Sequence, residues 1–345
     1  MDRFAIAAAV LGATLATASG ALAQGAPAAV AAPALSALVA EALQHNPELR
    51  GAAKETEAAG QRIRPAGALE DPMVEAGLLN VPIQPLRLNR EDMTMKMLGV
   101  SQKLPYPGKR ALREQVAAKE AETIGYGLRE TTNRVVRDVR VAYYDLALVE
   151  ETVRQLQTNR LVLQQFLKIA EGRYAVGQAT QVEVLKAQTQ LSKMSEELLR
   201  MERERPVMEA ELLRLLGRRG SAAPIAAVLP RIGEEAFSIE ALQEAALQGR
   251  PQLLGLQSVI DRGAKTLELA RKEANPDFDV RFSYGQRERD LAGMPREDLF
   301  SITVAMNLPL WRKDKIEPRI AEAQAMREQT LEVQRAQQND AIARL

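Results

Sequence analysis

Three methionines, Met93, Met95 and Met97, recur at alternate positions, which on a strand would set their thioethers on one face together with Met73. Thioether sulfur is a soft ligand suited to Cu(I) or Ag(I). Apolar filling of the strand, or a local bulge, accounts for the same side chains and is the preferred reading. The register that gathers the sulfurs would aim Thr94 and Lys96 at an apolar environment. The chain has no cysteine and one histidine, His45, so the usual zinc donor sets are lacking. No glycine-rich phosphate loop occurs and His45 has no evident catalytic partner; it reads as a helix-end residue. Neither a catalytic residue, a metal site nor a cofactor is expected. A net charge of +1 gives no electrostatic case for a nucleic-acid partner.

The ends of the chain bound the compartment. Met1-Asp2-Arg3, an alanine-rich apolar run from Phe4 to about Ala18 and an Ala21-Leu22-Ala23 site describe a secretory signal peptide over 1–23. Residues 24–34, rich in Ala and Pro, read as a linker. No later segment has the roughly 18 apolar residues of a membrane helix, so export without a helical anchor is expected. Few aromatics and abundant Ala, Leu, Glu, Gln and Arg suit long helices packed as coiled coils.

Those helices belong to a duplication. Shifted by 204 positions, Ala42-Leu43-Gln44 meets Ala246-Leu247-Gln248, Pro47 meets Pro251, Pro72 meets Pro276, and Leu104-Pro105 meets Leu308-Pro309. A first repeat at 35–220, an equatorial linker at 221–237 and a second repeat at 238–345 follow. The second copy would have to run well past Leu345 to match the first. It is therefore expected to be incomplete, and a chain of this length is expected to assemble poorly.

Each copy reads as a short helix (35–45; 239–248, with Ser238 as cap), a proline-started longer helix, and two strands. In the second copy Phe278, Val280, Phe282 and Tyr284 share one face against Asp279, Arg281 and Ser283. The return strand sets Phe300, Ile302, Val304, Met306 and Leu308 against Ser301, Thr303, Ala305 and Asn307. This alternation suits a membrane β-barrel strand, and equally a half-buried soluble hairpin. In the first copy Val74, Ala76 and Leu78, then Leu98, Val100 and Leu104, repeat it less clearly. All four strands are expected to form one β-unit, with the long helices leaving from the same end. Tyr106, Trp311 and the neighbouring cations fit a membrane–water interface, or an ordinary strand-to-helix corner.

A helix from about 107 to 172 would measure roughly 100 Å. Its distal half carries a seam through Val135, Val139, Ala142, Leu146, Val149, Val153, Leu156, Arg160, Leu163, Leu167 and Ala170. After a turn at 174–180, a return helix answers with Val184, Ala187, Leu191, Met194, Leu198, Met201, Arg205, Met208, Leu212 and Leu215. Two such seams joined by a short turn specify an antiparallel coiled-coil hairpin. Gly125 and Gly127 inside the helix read as a close helix approach or a kink.

Three strings then carry a family resemblance. They are His45-Asn46-Pro47-Glu48-Leu49, with Arg250-Pro251-Gln252-Leu253 as its copy; Ser101-Gln102-Lys103-Leu104-Pro105 with Gly108-Lys109-Arg110; and Glu171-Gly172-Arg173-Tyr174-Ala175-Val176-Gly177 leading to Val184-Leu185-Lys186-Ala187-Gln188. The sequence resembles the TolC-type outer-membrane efflux channels, and the Pro105-to-Arg110 junction is most similar to the heavy-metal efflux branch. The resemblance implies a mainly α fold with β: long coiled-coil helices forming an α-barrel, plus four strands per subunit in a trimeric transmembrane β-barrel. It further implies a homotrimer in outer-membrane lipid, fed by an inner-membrane pump and a periplasmic adaptor, passing cargo passively, with metal cations favoured. Arg173, Tyr174, Val176, Gly177 and Gln178 would form the adaptor-contacting tip, although Gly177 and Tyr174 equally serve the turn itself. The lipid-facing residues would be Phe278, Val280, Phe282, Phe300, Ile302, Val304 and Met306. A drug or type I secretion channel of the same fold, or a soluble periplasmic coiled-coil scaffold, are the competing readings.

Overall fold

Residues 34–84, 87–218, 224–230 and 238–344 are described by the structure, a computed structural model. The signal peptide and nearly all of the 24–34 linker lie outside the described residues, as does most of the 221–237 linker. The element order is α1 (Leu35–His45), α2 (Pro47–Gly67), β1 (Met73–Leu79), β2 (Met95–Leu104), α3 (Lys109–Ala175), α4 (Gln181–Leu216), α5 (Ile239–Gly249), α6 (Pro251–Lys272), β3 (Phe278–Gln286), β4 (Leu299–Met306) and α7 (Glu317–Ala343). Every expected helix and strand is present, with α1–α2 and β1–β2 repeated as α5–α6 and β3–β4.

The four strands form one antiparallel sheet in the order β1-β2-β3-β4. All of α2, α3, α6 and α7 join it from one end; the two hairpin loops lie at the other. The two hairpins are closed differently. Leu78 pairs with Lys96, whereas their counterparts Phe282 and Phe300 pair with Ile302 and Tyr284. The slip is an even number of residues, so no side chain changes face.

α3, at 67 residues, spans about 100 Å. Its first half packs beside α2 and α6, and its second half against α4. The seam residues expected on α3 and α4 are all buried or half-buried. Arg205 is held in the seam by Glu150 at 3.1 Å. The close helix approach sits elsewhere than expected. Gly125 and Gly127 face open space, and it is Gly255 that lets α6 approach Tyr126 of α3.

The core lies where the repeat's short and long helices meet, built from Leu38, Leu49, Val139, Leu146, Leu212 and Leu216 among others. The described part of the linker, 224–230, belongs to it through Ile225 and Ala227. Among the described residues this strip has no strand partner, and side chains satisfy its backbone: Ile225 N donates to Glu209, Ala227 N to Glu150, and Val228 N to the Tyr143 hydroxyl. Asn46 fastens the corner. It is 4% exposed, its Oδ1 accepts from Glu48 N and Leu49 N, and its Nδ2 donates to the Leu215 carbonyl at 2.8 Å. Gly217, at φ 73°, ends α4 with its Cα pressed on the His45 carbonyl, leaving no room for a side chain. His45 ends α1, its ring at the Glu41 carbonyl, as the helix-end reading expects.

Asn46→Ala removes a helix cap, about 1 kcal/mol, and strands a buried carbonyl. A loss of about 2–3 kcal/mol is expected in denaturant unfolding of the detergent-purified protein. Arg250→Ala, at the matching corner of the second copy where no side chain caps the helix, should stay within about 0.5 kcal/mol.

Candidate functional site

The sheet is inverted relative to a soluble one. One face carries Val74, Ala76 and Leu78; Leu98, Val100 and Leu104; Phe278, Val280, Phe282 and Tyr284; and Phe300, Ile302, Val304 and Met306. Between β3 and β4 its cross-strand pairs are Phe278 with Met306, Val280 with Val304, Phe282 with Ile302 and Tyr284 with Phe300. Among the described residues no helix covers either face, so these side chains stand in the open, Phe300 at 66% and Val304 at 58% exposure. Phe278 and Val280, nearest the helices, are half-buried. Lys96 and Gln102 are the polar residues on this face of β2, and Lys96 reaches Glu288 at 2.8 Å near the hairpin end.

The other face is mainly small and polar through its middle, with Gly77, Gly99, Ser101, Ser283, Gly285, Ser301 and Thr303, and carries Met73 at the helix end and Leu79, Met95, Met97 and Leu299 toward the hairpin end. Small side chains let Arg281 of β3 reach across β2 to Glu75 of β1, at 3.2 Å. Gly99, Ser101 and Gly285 are buried there while the large apolar groups opposite are not. Apolar outside and polar inside is the pattern of a barrel strand in lipid, and the strands, 7 to 10 residues long, are close to the span required.

The methionines are spread along the first hairpin. Met97 pairs with Gly77 and Gly285, Met95 packs over Gly285, Met93 precedes the strand, and Met73 lies at the opposite end of the ladder against Ser101. Thr94 is not aimed at an apolar environment as the copied register implied. It is fully buried and its hydroxyl donates to the Asn80 carbonyl, closing the first hairpin. Among the described residues no group of three or more His, Cys, Asp or Glu could hold a metal.

Two polar clusters lock the sheet's ends, and sequence reasoning did not single either out. At the hairpin end Arg296 binds the Asn89 and Glu91 carbonyls and pairs with Asp92 at 2.6 Å, tying one repeat's loop to the other's. At the helix end Lys109 is not the interfacial cation expected. It is 3% exposed, and its Nζ donates to Asp277 Oδ1 at 2.7 Å and to the Asn275 carbonyl at 2.9 Å. Asp277 also accepts from Tyr106 N, and Arg110 donates to the Gly67 carbonyl. Burial pushes the Asp277 carboxyl up, but the Lys109 hydrogen bond, Tyr106 N and the charges of Lys109 and Arg113 outweigh it, leaving it below the ordinary aspartate range. Tyr106 is half-buried in this junction, while Trp311 is 71% exposed just beyond β4.

At the far end of the coiled coil, Arg173, Tyr174, Val176, Gly177 and Gln178 come together as one exposed turn. Gln178 N donates to the Arg173 carbonyl and Gly177 N to that of Tyr174, a Schellman closure that requires the φ of 78° at Gly177. Thr180 and Glu183 then form a capping box for α4. Above the turn, Phe166, Ile169, Val182 and Leu185 remain exposed along a groove between the helices.

A long helical hairpin joined to an uncovered, inverted sheet defines a channel-forming outer-membrane protein. The family model described as outer membrane efflux protein matches residues 38–218, and the chain belongs to that family. The chain lies in the outer membrane, with its helices projecting into the periplasm. Among solved structures it is similar to CusC, at 15% identity and TM-score 0.71, covering 90% of this chain and 73% of that one. It is also similar to VceC from Vibrio cholerae, at 19% identity and TM-score 0.68, covering 90% and 75%. The outer membrane channel CmeC from Campylobacter jejuni follows at 14% identity and TM-score 0.70, covering 88% and 67%. No curated protein matches the sequence.

Lys109→Met should cost about 2–4 kcal/mol by leaving Asp277 unpaired, less than a fully buried pair because Asp277 keeps some solvent. Lys109→Met with Asp277→Leu should recover most of the loss in thermal unfolding. Because the folded Asp277 carboxyl titrates below its unfolded value, the pair's contribution is complete above about pH 4 to 5 and lost as pH falls through the depressed value. The acid limb of the stability curve should therefore flatten in the double variant.

Proposed function

We propose that this chain is the channel subunit of a tripartite efflux system, a passive outer-membrane conduit that works as a homotrimer. The observation that carries the reading is the inverted sheet with its two free edges. β1 and β4 have no outer neighbour among the described residues, and an open edge in lipid leaves backbone groups unsatisfied. Pairing β4 of one subunit with β1 of the next closes twelve strands into a barrel, the four-stranded unit counted three times. In that barrel Phe278, Val280, Phe282, Phe300, Ile302, Val304 and Met306 face lipid, and the Glu75–Arg281 face lines the pore. Trp311 and the half-buried Tyr106, in the fold's strand-to-helix corners, mark the periplasmic boundary of the outer membrane.

The helices continue the conduit into the periplasm, and the turn from Arg173 to Gln178 meets the periplasmic adaptor of an inner-membrane pump. Support comes from its exposure, its rigid double cap and the apolar groove above it. Metal cations are the proposed cargo, on the likeness of the Pro105-to-Arg110 junction to the heavy-metal branch. Organic drugs are the second reading, since Lys109 and Arg110 already have structural employment at that junction.

Val304→Arg, at the middle of the apolar face, should cost about 2–4 kcal/mol and cut the yield of membrane-assembled protein. Thr303→Arg, one residue along, should assemble far better; equal defects would reject this orientation of the sheet. Tyr174→Ala with Val176→Asp should lower efflux-dependent resistance several-fold while trimers form at wild-type yield. Unchanged resistance would remove the tip from the contact. Scoring resistance to copper and silver salts beside resistance to lipophilic drugs, in a host lacking its own channel, separates the two cargoes.

A further inference from the structure

At the helix end of the sheet a cavity of about 320 Å³ opens between the start of α3, the end of α6 and the turn leading into α7. Four cations line it, Lys109, Arg113, Lys315 and Arg319, against the carboxylates Glu273 and Asp277. Both carboxylates are taken, Asp277 by Lys109 and Glu273 by Arg319, each at 2.7 Å. Arg113 and Lys315 have no ion-pair partner among the described residues. Two positive charges are therefore left over, brought from α3 and the α7 turn to the same hollow. Arg113 and Lys315 are themselves exposed. Here Lys109 is almost wholly buried, and its Nζ uses two of three N–H donors on Asp277 and Asn275.

We propose that this cavity binds a phosphate group. Two unpartnered cations match the charge and the multiple acceptor oxygens of a phosphate, and neutralising them relieves their mutual repulsion. The group has two possible sources, a phospholipid headgroup or free inorganic phosphate. Exposed Leu308 and Trp311 border the cavity where the sheet's apolar face ends, which favours the headgroup. A bound phosphate would bridge α3 to the α7 turn and brace the strand-to-helix corners. The inference needs neither the proposed cargo nor the adaptor.

The test is thermal unfolding of the purified full chain in maltoside micelles. Micelles are doped with phosphatidylglycerol, doped with a neutral galactolipid, or left undoped and given inorganic phosphate. Phosphatidylglycerol should raise the midpoint by several degrees and the galactolipid should not. Arg113→Gln with Lys315→Gln, which spares both ion pairs, should weaken the response at least tenfold in lipid concentration at an unchanged circular dichroism spectrum. A response to inorganic phosphate alone, lost in the same variant, would keep the site and assign it a soluble ligand. Equal responses in wild type and variant, or none to either phosphate source, would overturn the proposal.

Discussion

The constraint on which the rest depends is the unpaired edge of β1 and of β4. A sheet with one face apolar along its length, and no helix among the described residues packed on it, has no stable existence in water. Its hydrogen-bonding edges have none in lipid. In the proposed assembly both are removed together, by closing the strands into a ring with other copies. The helices inherit that geometry, because α2, α3, α6 and α7 leave one end of one sheet and pack side by side. A wall of single helices cannot bury much, so the stability of each subunit is concentrated where α1, α3, α4 and the 224–230 strip converge on a real core.

The two repeats are alike in backbone and unlike in their polar contacts. Asn46 caps α2 and reaches Leu215, whereas Arg250 at the same place in the second copy caps nothing. Lys109 is buried against Asp277, while its counterpart Lys313 lies in the π-helical turn Arg312–Ile316 and is exposed. The Arg296 clasp on the first hairpin's loop runs in one direction only. Each of these contacts joins one repeat to the other or to the equatorial core. A duplicated sequence is free to drift at such places, since a bond between copies needs a donor on one and an acceptor on the other.

The elements were legible in the sequence because each obeys one period over many residues. The alternation from Phe300 to Met306 and the seam from Val135 to Ala170 are averages that one exception such as Arg160 does not disturb. The strand faces survived a two-residue slip in the first hairpin because the slip was even. What stayed hidden was pairwise. Nothing local to Lys109 announces that Asp277, 168 positions away, will bury it, and a lysine near aromatics reads as an interfacial cation. Gly125 and Gly127 suggested a close approach, but contact depends on which way a helix face turns, and Gly255 makes it instead. Thr94 closes a hairpin through Asn80 because that turn bends back, which alternation cannot express. At the tip, the turn chemistry of Gly177 could be read directly; whether another protein rests on it could not, since a cap and a contact use the same residues.

Burial along the coiled coil is graded, and the gradient bears on how such a tip works. From Val135 to Val149 the α3 seam is fully buried; between there and Ala170 no α3 residue is. Arg160 sits in that stretch with a buried Nε lacking a partner, and Phe166, Ile169, Val182 and Leu185 stay exposed beyond it. Fewer buried apolar groups per turn mean a lower free energy of local opening toward the tip. The turn itself resists this, since its Schellman closure and capping box hold backbone geometry without any hydrophobic contribution. A rigid turn on a loosely held stalk can shift as a body while keeping its own shape.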